Sequence, residues 1–190
     1  MERRELIKMI AVLTGTAFIG GEFLLSGCTS IDDIRGNKWS DKNLSFLDEV
    51  GETILPATAT PGAKAAQVSK TMKAVVSDCY ADRDVEIFLT SIDKINEASN
   101  KKFTKPFLEL TAPQREELLK EIDKEAKDYQ KTKKSEDPNH YFTMVKQLTL
   151  LGYFTSEIGC TQAQRYIPVP GRYDGCVPYT KGDKSMAFAR

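Results

Sequence analysis

The chain has 190 residues, with 27 basic and 27 acidic side chains, a single histidine and four cysteines. Such balance excludes the basic surface that a nucleic-acid partner requires, and it supplies no polybasic patch for an anionic membrane. One histidine excludes a two-histidine metal site, and three cysteines beyond the N-terminal pattern described next are too few for a four-thiolate iron–sulfur cluster.

Residues 1–27 read as a signal peptide with an N-terminal signal helix. Arg3 and Arg4 precede a short apolar step and Lys8, and the run from Ile10 to Gly21 carries no charge. That run is too short and glycine-rich for a membrane span of about 20 apolar residues. Arg3-Arg4-Glu5-Leu6-Ile7-Lys8 resembles the twin-arginine export signal, with Glu2 where a small hydroxyl residue is usual. Leu25-Ser26-Gly27-Cys28 resembles the bacterial lipobox, in which the cysteine sulfur takes diacylglycerol and its amino group becomes the new N-terminus. Cys28 is therefore the candidate lipidation site, and two or three acyl chains anchor far more firmly than one. The expectation is an exported lipoprotein held on the periplasmic side of a membrane. Residues 28–42 then form a polar tether, and residues 43–190 the folded domain.

Within the domain, apolar spacing predicts an all-α fold of about five helices followed by a loop-rich tail. Leu44, Leu47, Val50 and Ile54 make the first stripe, which ends at Pro56. After a proline–glycine loop, Val68, Met72, Val75, Val76 and Cys79 make the second. Asp82 is placed to cap a third helix bearing Val85, Phe88, Leu89, Ile92 and Ile95. Thr111 with Gln114 fits a capping box, Pro113 suits a first turn, and Leu118, Leu119, Ile122, Ala126 and Tyr129 follow on one face. Asp137 and Pro138 are expected to open the fifth helix, with Tyr141, Phe142, Val145, Leu148 and Leu151 buried. The charged stretch 120–134 reads as a solvated face. From Gly159 to Lys184 prolines and glycines forbid long elements, yet Tyr166, Tyr173, Val177 and Tyr179 are costly to expose, so the tail is expected to wrap over the helices as ordered loop.

Chemical signatures are sparse. His140 has no C-x-x-C-H neighbourhood for haem and is expected at the surface, and no G-x-G-x-x-G turn supports a nicotinamide or flavin fold. In an oxidising compartment two of Cys79, Cys160 and Cys176 are expected to pair. Loop entropy gives about 3 kcal/mol for Cys160–Cys176 and nearer 5 for Cys79–Cys176, which does not choose between them. Cys79 lies on an apolar stripe, as a buried thiol would.

Two blocks, Thr53-Ile-Leu-Pro-Ala-Thr-Ala-Thr-Pro-Gly-Ala-Lys64 and Leu148-Thr-Leu-Leu-Gly-Tyr-Phe-Thr-Ser-Glu-Ile-Gly-Cys-Thr-Gln-Ala-Gln-Arg-Tyr166, resemble the small subunit of gluconate 2-dehydrogenase, subunit 3. Val169-Pro-Gly-Arg-Tyr-Asp-Gly-Cys-Val-Pro-Tyr179 is similar to the closing motif of that family. The resemblance implies a non-catalytic accessory subunit with no cofactor of its own. The partner would be a flavoprotein of the glucose–methanol–choline type that holds FAD, with a cytochrome c subunit carrying haem in many complexes. It also implies a Cys79–Cys176 bridge, leaving Cys160 free. Aromatics and arginine are favoured at interface cores, so Tyr153, Phe154, Tyr166, Arg172, Tyr173 and Tyr179 are the candidate partner contacts. Two other classes remain: a free-standing lipoprotein that binds sugars in a concave aromatic pocket, and an enzyme with clustered titratable groups in such a pocket.

Overall fold

A computed structural model describes residues 39–169, 171, 176 and 178–186. The signal helix, Arg3, Arg4 and Cys28 lie outside the described residues. The helical unit runs from Ser40 to Arg190, and Met1–Trp39 is a separate unit. Among the described residues the helical unit holds five α-helices: α1 Asp41–Ile54, α2 Val68–Cys79, α3 Asp82–Phe103, α4 Ala112–Thr132 and α5 Tyr141–Thr155. A 3-10 turn, Phe107–Glu109, joins α3 to α4, and a π turn, Gly159–Ala163, follows α5. The all-α architecture is the one expected from the apolar spacing.

α5 is the centre. It touches α1, α2, α3, α4 and the π turn, and Tyr141, Phe142, Met144, Val145, Leu148, Thr149, Gly152 and Tyr153 are all buried. A helix apolar on nearly every side must be surrounded by others. Its closest approach is made through small residues. Val68, fully buried at the first turn of α2, lies between Gly51 of α1 and Gly152 of α5. A Cβ on Gly51 would stand 2.8 Å from Val68 Cγ2, and one on Gly152 would stand 3.4 Å from Val68 Cβ and 3.3 Å from Thr71 Cβ. Thr149, also buried, turns its hydroxyl back to the Val145 carbonyl at 2.8 Å and leaves its methyl to the same junction.

The helix ends show where local chemistry and tertiary context each decide. Ser40 caps α1, accepting the Asn43 N–H at 3.4 Å. α2 has no capping side chain of its own: Gln67 precedes it with φ 51°, and Asp48 of α1 accepts the Ser69 N–H at 3.0 Å instead. The Thr111–Gln114 capping box is present at α4, with the Thr111 N–H on Gln114 Oε1 at 3.0 Å. Asp82 does not cap α3. Ala81 takes that position, and Asp82 and Asp84 lie inside the first turn, where their charge suits the helix dipole, as Lys101 and Lys102 do at the other end. Asp137 and Pro138 do not open α5 either. Asp137 closes the preceding turn by accepting the Lys134 N–H at 2.8 Å, Pro138 accepts the Tyr129 hydroxyl at 2.9 Å, and His140 is the cap.

Three burial expectations change. Leu151 is 46% exposed, because the inner line through Val145 and Leu148 continues to Gly152, and the residue before it is rotated outward by one helical step. Cys79 is exposed in the last turn of α2. The third is in the tail, where described side chains expected to be covered are not. Tyr166, Val169 and Tyr179 are exposed, and the tail instead folds back on itself, with the Arg165 N–H on the Ser185 carbonyl at 2.8 Å and Lys184 Nζ on the Gln162 carbonyl at 2.5 Å. The stretch 120–134 is solvated as expected, with Lys127 paired to Asp123 and Lys131 to Asp128 along the helix.

The junction generates a test. Gly152→Val should overpack the α2–α5 contact and destabilise the domain by about 1–3 kcal/mol. For a chain of this size that lowers Tm by several degrees. Adding Val68→Ala should recover part of the loss, as read by thermal unfolding of the single and double variants. Fully additive losses would show that the two residues do not compete for the same space.

Candidate functional site

Around α5, ionisable side chains serve as clips between elements. Glu49 of α1 pairs with Lys64 of the α1–α2 loop and, at 2.6 Å, with Arg115 of α4. The second Arg115 nitrogen donates to the Leu108 carbonyl at 2.7 Å, so α1, α4 and the 3-10 turn meet at one guanidinium. Lys64 first, and then Arg115, hold the Glu49 carboxyl below its ordinary pKa against the opposing effect of partial burial. Asp123 of α4 accepts both Lys127 and, from α5, Lys146 at 2.7 Å. Burial acts to raise its pKa, and the two ammonium groups outweigh that and hold it low. Lys102 of α3 reaches Glu117 and Glu121 of α4, each at 2.6 Å. Among the described residues no three histidine, cysteine, aspartate or glutamate side chains gather as metal ligands, and no helix is long and apolar enough to cross a membrane.

Among the described residues the surface carries hollows that include the following three. One of about 230 Å³ between α1, α4 and α5 has a floor of Ile54, Leu119 and Phe142 and a rim containing Lys120, Asp123 and Lys146. A second, about 260 Å³, lies beside the 3-10 turn on Phe46, Ile92, Pro106 and Leu108. The third, about 490 Å³, lies in the tail and combines the Tyr166 ring with Gln164, Arg165, Asp183 and Lys184.

The sequence-predicted contact residues separate. Phe154, Tyr166 and Tyr179 are exposed, as a docking surface requires. Tyr153 belongs to the core: it is 4% exposed and donates its hydroxyl to the Pro61 carbonyl at 2.8 Å, because the turn of α5 that carries it packs under the α1–α2 loop. Arg172 and Tyr173 lie outside the described residues. Leu150 and Leu151, which sequence reasoning did not nominate, flank Phe154 as exposed apolar side chains. A phase shift in the α5 pattern at Gly152 was the available signal for them.

The cysteines also differ from expectation. Cys79, Cys160 and Cys176 are all free thiols, so the Cys79–Cys176 bridge is not formed in the structure. Both of those residues are exposed, whereas Cys160 is buried in the π turn and donates its thiol to the Phe154 carbonyl at 3.2 Å. Brief alkylation of the folded domain should therefore modify Cys79 and spare Cys160 until the chain is unfolded. Non-reducing peptide mapping that recovers Cys79 joined to Cys176 would contradict this.

His140 is not the surface residue the sequence suggested. Its side chain is 11% exposed, lies 4.3 Å from the Tyr141 ring and 5.8 Å from the Tyr129 ring, and accepts the Phe142 N–H on Nδ1 at 3.3 Å. Burial pushes its pKa below the ordinary value of about 6.5; Glu125 counters this in part and Lys94 adds to it. A neutral imidazole is what a helix cap needs, since the imidazolium has no acceptor and would place positive charge at a helix N-terminus. Because the folded pKa lies below the unfolded one, this contribution is complete above about pH 6.5 and is lost as pH falls through the folded value. Stability from denaturant titrations should thus decline as pH falls below about 6.5, ahead of the main carboxylate range. His140→Asn, which keeps an acceptor at the cap, should flatten that decline; an unchanged slope would remove His140 as its source.

The two blocks singled out in the sequence are in contact. Tyr153 of the second bonds Pro61 of the first, and Thr149 and Gly152 flank the junction that Gly51 shares with Val68. A family model described as Gluconate 2-dehydrogenase subunit 3 matches residues 41–171, a span that holds all five helices and the π turn. No curated protein and no solved structure matches the chain. On the strength of the family match, the chain belongs to the gluconate 2-dehydrogenase subunit 3 family.

Proposed function

We propose that this chain is the non-catalytic small subunit of a membrane-associated, FAD-dependent sugar or sugar-acid dehydrogenase. In this reading it supports the export, anchoring and stability of a flavoprotein subunit of the glucose–methanol–choline type. FAD and the substrate pocket belong to that partner, and a cytochrome c subunit takes the electrons in complexes that contain one. The lipid on Cys28 holds the assembly on the periplasmic side of the membrane. If export follows the twin-arginine route, the folded partner crosses with this chain without a signal of its own.

The observation that carries the reading is the family match across the whole helical bundle, 41–171. The geometry agrees with a scaffold. Glu49, Asp123 and Lys102 each bind two partners and tie neighbouring elements together. A runner-up reading, a free-standing sugar-binding lipoprotein, draws on the tail hollow, which Tyr166 lines beside polar groups.

Purified alone, the full chain should carry no flavin or haem and should reduce no dye with any sugar. Deleting it should lower the membrane-bound fraction of the flavoprotein, and Cys28→Ala should release the assembly from membranes. Sugar-dependent dye reduction by the isolated chain would overturn the accessory reading. Saturable sugar binding by calorimetry, abolished by Tyr166→Ala, would favour the runner-up.

A further inference from the structure

Two uncharged segments are linked through Tyr153 at one end of the bundle. The first is the α1–α2 loop. No residue from Ile54 to Ala63 is charged, and Pro56, Ala57, Thr58 and Ala59 are exposed. Surface loops of small residues are ordinarily mobile. This one is fastened along its length. The two oxygens of the Glu52 carboxylate accept the Ala57 N–H at 2.8 Å and the Lys64 N–H at 2.9 Å. The Leu55 carbonyl accepts the Ala63 N–H at 3.0 Å, Thr58 donates to the Thr60 carbonyl at 2.9 Å, and Pro61 accepts the Tyr153 hydroxyl. Gly62 is pressed so close that a Cβ there would lie 2.3 Å from the Glu52 carboxylate. All of this rigidity leaves the tip exposed.

The second surface is the last two and a half turns of α5 with its C-cap, uncharged from Gln147 to Ser156. Leu150, Leu151 and Phe154 are 37%, 46% and 39% exposed there, next to the buried Gly152 and Tyr153. The two surfaces are physically linked by Tyr153, whose hydroxyl holds the loop and whose ring meets the Phe154 ring edge-on at 5.2 Å.

We propose that the loop 56–61 and the ridge of Leu150, Leu151 and Phe154 form one face, on which the flavoprotein subunit docks, with Tyr153 as the strut that fixes the two parts relative to each other. The assignment rests on the reading of this chain as the accessory subunit. Charge selects the occupant: an anionic bilayer surface attracts Lys and Arg, and so do nucleic-acid phosphates, and neither residue stands in these two segments. A neutral apolar face complements the core of a protein–protein interface, where charged residues are depleted and aromatics enriched. Area agrees. Three side chains about two-fifths exposed supply roughly a third of the ~800 Å² per partner that a standard interface buries, and the loop adds to it. A loop already held in one conformation loses little entropy on docking.

The test uses the full-length chain co-expressed with a tagged flavoprotein dehydrogenase subunit encoded with it. Leu151→Glu and Phe154→Ala should lower the recovered small subunit at least tenfold. Tyr153→Phe, which removes only the strut's hydrogen bond, should weaken pairing several-fold, and Lys131→Glu, near the far end of α4, should leave it unchanged. Circular dichroism and thermal unfolding of each variant separate loss of docking from loss of fold, and Leu151→Glu, at an exposed position, should keep the wild-type helix content. If the wild type pairs and the folded ridge variants pair equally well, the face is wrong while the accessory reading stands. If the wild type does not pair at all, both fall. Sedimentation in which Leu151→Glu abolishes self-association but leaves flavoprotein pairing intact would assign the face to a second copy and overturn the proposal.

Discussion

Everything in the bundle is arranged around the burial of α5, and that burial depends on how closely α1 and α2 can approach it at Val68. The junction works because Gly51 and Gly152 present no side chain where Val68 arrives. Glycine inside a helix costs roughly 1 kcal/mol relative to alanine, and here the cost is offset by close contact among three helices. Once Val68 is seated, the start of α2 is fixed, and Asp48 is in place to cap it from the neighbouring helix. The loop between α1 and α2 then has both ends set and can be closed by Glu52.

The ionic contacts have a different role from the core. Exposed pairs such as Lys120–Glu116 and Lys131–Asp128 contribute little to stability, because solvent screens them and the long side chains lose freedom. The pairs at Glu49 and Asp123 are more sheltered and connect elements distant in sequence, so their effect is to choose one packing of the helices among several that an apolar core would tolerate. Arg115 illustrates this: one side chain joins Glu49 of α1 to the Leu108 carbonyl while its guanidinium lies 5.4 Å from the centre of the Phe107 ring.

Several of the subunit's titratable side chains are taken up in holding the fold. Its one histidine is held as a neutral helix cap, Cys160 is buried, and Tyr141, with burial raising its pKa to about 12, lies under the Lys94 ammonium at 4.9 Å. Apolar character reaches the surface where α5 runs out of neighbours, beside a loop that the fold has already immobilised.

The sequence by itself determined the all-α class, the order of five helices, the capping box at Thr111 and the family, because 3.6-residue periodicity, short-range capping and long motifs are all encoded locally. It misplaced the caps of α3 and α5, since Asp82 and Asp137 satisfy the same local rule as a true cap and the choice depended on Ala81 and on His140 between its two tyrosines. It likewise read Leu151 as core and Tyr153 as interface. Which side of α5 faces inward at its C-terminal end was decided by Gly152 meeting Val68 and by the Tyr153 hydroxyl finding Pro61, 92 residues away in sequence. A residue's burial on a central helix is a property of its neighbours, and those neighbours are brought together only by the tertiary fold.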